Sequence, residues 1–295
     1  MSEGDFYAIS AGLVWSFGVI LMRVSGLHIQ PVALTIFKSG MATMFFAMTL
    51  PVLNEPFVQS LPAEAYFRLV VSGILGITIA DTMFAAALNR LGASLQALAD
   101  CIYSPAIAGI GFLMFEEYLG MWELLGGILV VGGVAVGMRM TAEVHSRKDL
   151  VMGVILASGA HIIMAVGILM VRDLIREESL SIVWISGVRF FAATVTLVGL
   201  ALFRMPAREV FMGFTRCDTW KTTIPMSFLG PFVATMLWTA GFKHLAAGRA
   251  AIYNQLSTVF ILLLAVLILK ERMTKRKLTG IALAVCGALL VALQN

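Results

Sequence analysis

Five ionisable residues sit inside runs that are otherwise apolar: Lys38, Asp81, Asp100, His161 and Arg189. A charge at the middle of a membrane helix costs about 2.5–3.5 kcal/mol on insertion scales, so each is a candidate for binding or relay chemistry. Asp81 and Asp100 suit an amino group or a proton, Lys38 and Arg189 suit a carboxylate, and His161 suits proton sensing. Each also has a structural reading. The acids and His161 can serve in ion pairs or hydrogen bonds, and Lys38 and Arg189 lie near enough to their helix starts to snorkel.

Spacing groups other polar residues with these. Gln96, Asp100, Ser104 and Gly111 follow helical steps and share one face. Asn254, Ser257 and Thr258 form a second stripe, with Tyr253 beside it. Thr78, Asp81, Thr82 and Asn89 align in another run, and Thr235, Trp238 and Thr239 in a run that contains Pro231. Serines and threonines alone are accounted for by hydrogen bonds between helices. Stripes that carry Asp, Asn or Gln point instead to a polar cavity. Trp15 and His161 fall at comparable places in their runs, and Trp15 suits either a cavity wall for an apolar solute or plain packing. The candidate substrate-binding set is therefore Trp15, Lys38, Asp81, Gln96, Asp100, Ser104, His161, Arg189, Trp238, Tyr253, Asn254 and Ser257.

Catalysis finds little support. Ser158-Gly159 stands close to His161, but on one helix and without a nucleophile elbow. No His-Glu-x-x-His and no phosphate-binding loop occur, which argues against a metalloprotease and against ATP-driven pumping. Cys101, Cys217 and Cys286 are scattered and fit neither a disulfide framework nor a metal site. No cofactor, metal or catalytic residue is expected.

The elements that must position these residues follow from composition. Apolar residues make up 60% of the 295 and charged residues 13%, with a mean hydropathy of +0.93. A soluble domain carries about 25% charged residues. This chain has too little polar coat for water, so its surface must face lipid. The pI near 9.1 does not point to nucleic acid, because the basic residues lie between apolar runs and not on one face. Ten runs qualify as helices: 6–22, 31–50, 69–88, 93–115, 119–138, 150–171, 182–203, 223–242, 250–269 and 278–293. Backbone polar groups in lipid must be satisfied within the segment, which makes each an α-helix. Met-Ser-Glu-Gly-Asp lacks a basic n-region, so the first run reads as a retained helix.

One offset, 154 residues, aligns three helices with their counterparts without a gap. It pairs Gly76 with Gly230, Phe84 with Trp238, Asp100 with Asn254, Ser104 with Thr258, Glu117 with Glu271, Gly126 with Gly280 and Gly133 with Gly287. Five helices per half is an odd number, so the second half enters the membrane from the other side. Such inverted repeats place the substrate between the halves near the midplane. The division is 1–140 for the first repeat, 141–149 for a linker and 150–295 for the second repeat.

Phe115-Glu116-Glu117-Tyr118 followed by Gly126-Gly127 and Gly132-Gly133 is echoed by Leu269-Lys270-Glu271-Arg272 followed by Gly280 and Gly287. With two five-helix halves, this resembles the drug/metabolite transporter superfamily, specifically its EamA-like members. Lys38 and Arg189 stand where the second helix of each half commonly carries Arg in that family. The resemblance implies a transporter fold but not a substrate, since members move amino acids, nucleotide sugars, vitamins and drugs.

The expectation is thus an all-α multi-pass protein of the cell membrane. It would be a secondary transporter, exporting or exchanging a small metabolite such as an amino acid. The alternatives are an importer of a larger metabolite and, less favoured, a membrane-embedded enzyme or a channel. Its partners are a small-molecule substrate and the lipid bilayer, with no nucleic acid. One chain contains both halves, so a monomer suffices, with a dimer left open. The positive-inside count gives five Lys and Arg on the side of the termini, fourteen opposite and two within helices, which favours termini outside the cytoplasm. The family resemblance implies termini inside.

Overall fold

The computed structural model describes residues 3–115, 120–137, 144–245 and 247–293; side chains at 115, 123, 247–255, 288 and 291–293 also fall outside the description. Glu116, Glu117 and Tyr118 therefore lie outside the described residues, as do the side chains of Tyr253 and Asn254. Among the described residues the chain is helical, with no strand.

Seven helical stretches are long and apolar enough to cross a membrane: α1 (Glu3–Ser25), α2 (Pro31–Val52), α3 (Ala63–Leu91), α4 (Ala93–Met114), α6 (Arg147–Leu169), α7 (Ile182–Leu202) and α8 (Cys217–His244). Three more helices pack with them: α5 (Met121–Gly137), α9 (Ala247–Leu267) and α10 (Lys275–Leu293). Start signals are local. Pro31 opens α2, where its missing N–H is not needed. Ser146 caps α6 by accepting from Asp149 N at 3.0 Å, and Ser181 caps α7 by accepting from Val183 N and Trp184 N. Gly92, at φ 78°, makes the one-residue corner between α3 and α4, a conformation open to glycine.

Three irregularities were not foreseen in the apolar runs. α3 is π-helical over Ile74–Ile79, and α8 is π-helical over Phe228–Ala234. The two stretches begin 154 residues apart, which is the sequence offset. α4 is interrupted at residues 101–102. Pro105 has no N–H for the carbonyl of Cys101, and the chain turns through tighter bonds there, Cys101 N to Leu98 O and Ile102 N to Ala99 O.

Packing between α1–α5 and α6–α10 is reciprocal. α1 lies on α8 and α9, whereas α6 lies on α3 and α4; α2 meets α7, and α5 meets α10. The α5–α10 contact is backbone to backbone. A Cβ at Gly133 would stand 2.6 Å from Gly280 O, and one at Gly287 would stand 2.5 Å from Gly126 O. Gly133 and Gly137 of α5 and Gly280 and Gly287 of α10 serve this close approach, whereas Gly132 faces open space. Outward residues such as Leu113, Phe67 and Phe203 are exposed, as a lipid-facing surface requires.

Candidate functional site

A cavity of about 120 Å³ opens at the centre of the bundle. Its wall draws on α1 (Ala11, Trp15), α2 (Lys38), α3 (Gly76, Ile77, Asp81, Phe84) and α4 (Asp100, Tyr103). The rest comes from α6 (His161, Met164), α7 (Arg189, Phe190), α8 (Pro231, Ala234, Thr235, Trp238) and α9 (Ser257). Among the described residues α5 and α10 contribute nothing to the wall, and they pack on each other through small residues. Both π-helical stretches reach the wall, through Gly76 and Ile77 and through Pro231 and Ala234. A π-bulge shifts the phase of the helix beyond it, which is why such bulges recur at functional sites.

The five intramembrane ionisable residues all line this space, and none is more than 8% exposed. They are organised differently from one another. Lys38 Nζ donates to Asp81 Oδ2, a direct ion pair between α2 and α3. Asp100 accepts at Oδ1 from His161 Nε2 at 2.8 Å and from Gln96 Nε2 at 3.0 Å. The other imidazole nitrogen, Nδ1, is buried with no partner among the described residues. Arg189 is 4% exposed, makes no hydrogen bond or ion pair among the described residues, and has a buried, unpartnered Nε. The Tyr103 hydroxyl is likewise buried and unpartnered.

Aromatic rings complete the wall. Trp15 packs on Phe84 with centroids 5.8 Å apart, and Phe84 and Tyr103 each approach His161 edge-on at 6.0 Å. Trp238 stacks obliquely on Phe242 at 4.8 Å. The result is a small chamber with apolar sides and charged groups at discrete points, the usual character of a small-molecule site.

Of the twelve residues chosen from sequence, eight line the cavity: Trp15, Lys38, Asp81, Asp100, His161, Arg189, Trp238 and Ser257. Gln96 and Ser104 are buried but lie outside the wall. Gln96 acts on Asp100, while Ser104 Oγ is without a partner among the described residues. Tyr253 and Asn254 lie on α9 with side chains outside the description. Sequence reasoning missed Tyr103, Phe84, Phe190 and Pro231. Tyr103 stands three residues after Asp100, a spacing that puts both on one helical face and was the available signal.

Glu271 has a separate place, in the loop between α9 and α10. Its carboxylate accepts from Ala93 N at 2.8 Å and Ser94 N at 3.0 Å, and it also accepts from Ser94 Oγ. It thus caps the start of α4 from the other set of five helices.

A model of the EamA-like transporter family matches residues 2–138 and again residues 151–293. The "Uncharacterized transporter YetK" of Bacillus subtilis (strain 168) is 29% identical over 162 residues. That alignment spans 55% of this chain and 44% of that protein. A solved crystal structure, described only as that of a protein, superposes with a TM-score of 0.73 at 18% identity, over 100% of this chain and 98% of that one. At that identity the likeness concerns the fold alone.

Proposed function

This chain belongs to the EamA-like transporter family and is a multi-pass membrane transporter, and on that premise we propose a secondary transporter of a small carboxylate-bearing metabolite, such as an amino acid. Ten helices in two inverted five-helix repeats, 1–140 and 150–295 with 141–149 between them, would move the solute by export or exchange through alternating access. The repeat reading is supported by the two π-helical stretches 154 residues apart and by the reciprocal packing of α1 on α8 and α9 and of α6 on α3 and α4. The family match in two segments agrees with it.

The observation that carries the proposal is the central cavity, where eight helices bring together the Lys38–Asp81 ion pair, the hydrogen-bonded Asp100–His161 pair and, among the described residues, one guanidinium with no bonded partner. Charged groups deep in a membrane bundle, facing a cavity, mark a solute or ion path. Nothing in the cavity suggests bond-breaking chemistry, and the family points to a transporter and not to an enzyme.

Purified protein in liposomes, loaded with unlabelled amino acids and given labelled ones outside, tests this. The expected result is counterflow without ATP. Uptake that occurred only with ATP inside the vesicles would overturn the secondary-transport reading.

A further inference from the structure

The charged groups of the cavity do not cancel evenly in space. Lys38 is committed to Asp81, and Asp100 is committed to His161 and Gln96. Arg189 remains, buried and without a hydrogen-bond partner among the described residues, beside a phenol in the same condition. Tyr103 and Asp81 are near enough to act on Arg189 electrostatically, but neither bonds to it. Buried polar groups are normally satisfied, and an unsatisfied buried charge costs far more than an unsatisfied neutral group. Two donors left open in one cavity wall, within electrostatic range of each other, describe the complement of a ligand with two or more acceptor oxygens.

The backbone around Arg189 is shaped for the same end. A Cβ at Gly73 would collide with the Arg189 carbonyl, and one at Gly76 would stand 3.3 Å from Arg189 Nη2. The two glycines flank the start of the π-helical stretch Ile74–Ile79. They let α3 approach α7 closely and leave the guanidinium a clear face toward the cavity.

We propose that Arg189 and Tyr103 form an oxyanion subsite that takes the carboxylate of the transported solute. This rests on the transporter reading and deepens it. The guanidinium fork binds the carboxylate bidentately, the Tyr103 hydroxyl donates to one oxygen, and Trp15, Phe84 and Trp238 flank the remainder of the solute. Lys38 does not compete, because Asp81 holds it.

The test uses the full chain in detergent, with thermal melting and equilibrium binding. The probes are the standard amino acids and short monocarboxylates, each beside its carboxamide. At least one acid is expected to bind where its amide does not. Arg189→Gln then weakens that acid about tenfold to a hundredfold, and Tyr103→Phe about fivefold to tenfold. Arg189→Lys fails to restore full binding, because an ammonium lacks the fork. Ligand-free Arg189→Gln melts at or above the parent temperature, since it removes an uncompensated buried charge. Gly76→Ala, which crowds the guanidinium, weakens the acid without altering ligand-free melting by more than a few degrees.

Absence of binding by every acid overturns the subsite, as does an amide that binds as tightly as its acid. So does Arg189→Gln that melts well below the parent while binding unchanged, which would make Arg189 structural. The two proposals fail separately. Acid binding that depends on Arg189 without any counterflow in liposomes would keep the subsite and reject the transporter cycle. Counterflow of an amine or neutral solute, unchanged in Arg189→Gln, would do the reverse.

Discussion

Asp100 accepts from side chains on two helices, Gln96 one turn before it on α4 and His161 on α6. An amide in its place can still accept from both, so Asp100→Asn keeps the shape and removes the charge. If the charge carries a proton or meets the solute, transport per folded molecule falls at least about tenfold with little change in melting. Unchanged transport with a lower melting temperature would leave Asp100 a structural acceptor only. The Lys38–Asp81 pair is the opposite case. Lys38→Met strands a buried carboxylate and is expected to cost about 3–5 kcal/mol, while Lys38→Met with Asp81→Leu recovers most of it. A thermal-unfolding cycle over the four proteins measures this, and additive losses would show that the two residues do not act as a pair. The sequence displayed which residues were costly in lipid, and all five line the cavity. It did not display who pairs with whom. Lys38 on α2 pairs with Asp81 on α3 and not with Asp100 on α4. Tyr103 escaped notice because a phenol in a greasy helix reads as packing until its hydroxyl is found without a partner.

At the level of elements, the proposed repeat offers an internal control for each irregularity. Pro105 corresponds to Val259 at the 154-residue offset; α4 breaks at residues 101–102, whereas α9 runs unbroken over Ala247–Leu267. Proline therefore accounts for the break, which ends the first part of α4 at Asp100. Pro105→Ala should let α4 continue, hold or raise the melting temperature, and lower transport by turning Asp100 away from His161. Transport at the parental rate in the stabilised variant would show that the break is incidental. The π-helical stretches give the contrary lesson. Pro231 lies in one, its counterpart Ile77 in the other, and both bulge, so proline is not required. What they share is Gly76 and Gly230, each at a close crossing with the opposite set of helices, Gly167 against Gly76 and Gly18 against Gly230. Apolar runs revealed where helices lie because burial in lipid demands both hydropathy and internal hydrogen bonds. They hid these irregularities because a π-turn or a one-residue break has the same composition as the helix around it.

Across the whole molecule, the class of the protein was legible from composition, because composition is a property summed over many residues, and the proposed repeat rests on one offset for the same reason. The contacts that tie the two sets of helices together were less so, since they join residues far apart in sequence. Glu271 is the clearest of them. The repeat marked it as a paired acidic residue at a helix end, but not that it reaches Ala93 and Ser94, nearly 180 positions earlier. A carboxylate on free N–H groups at a helix start is favoured by hydrogen bonding and by the helix dipole together. Removing it should cost on the order of 2–4 kcal/mol. It should also free α4 to separate from α9 on that side of the bundle, an opening consistent with the proposed alternating access. Cys101 reports this separation, because its thiol is fully buried and faces Thr258 of α9 at 3.9 Å. In a background of Cys217→Ser and Cys286→Ser, Glu271→Ala is expected to speed maleimide labelling of Cys101 well below the melting temperature, with Glu271→Gln intermediate because it keeps one acceptor oxygen. Labelling as slow as in the parent, in protein that is folded but less stable, would make Glu271 a fastening of the fold with no part in opening it.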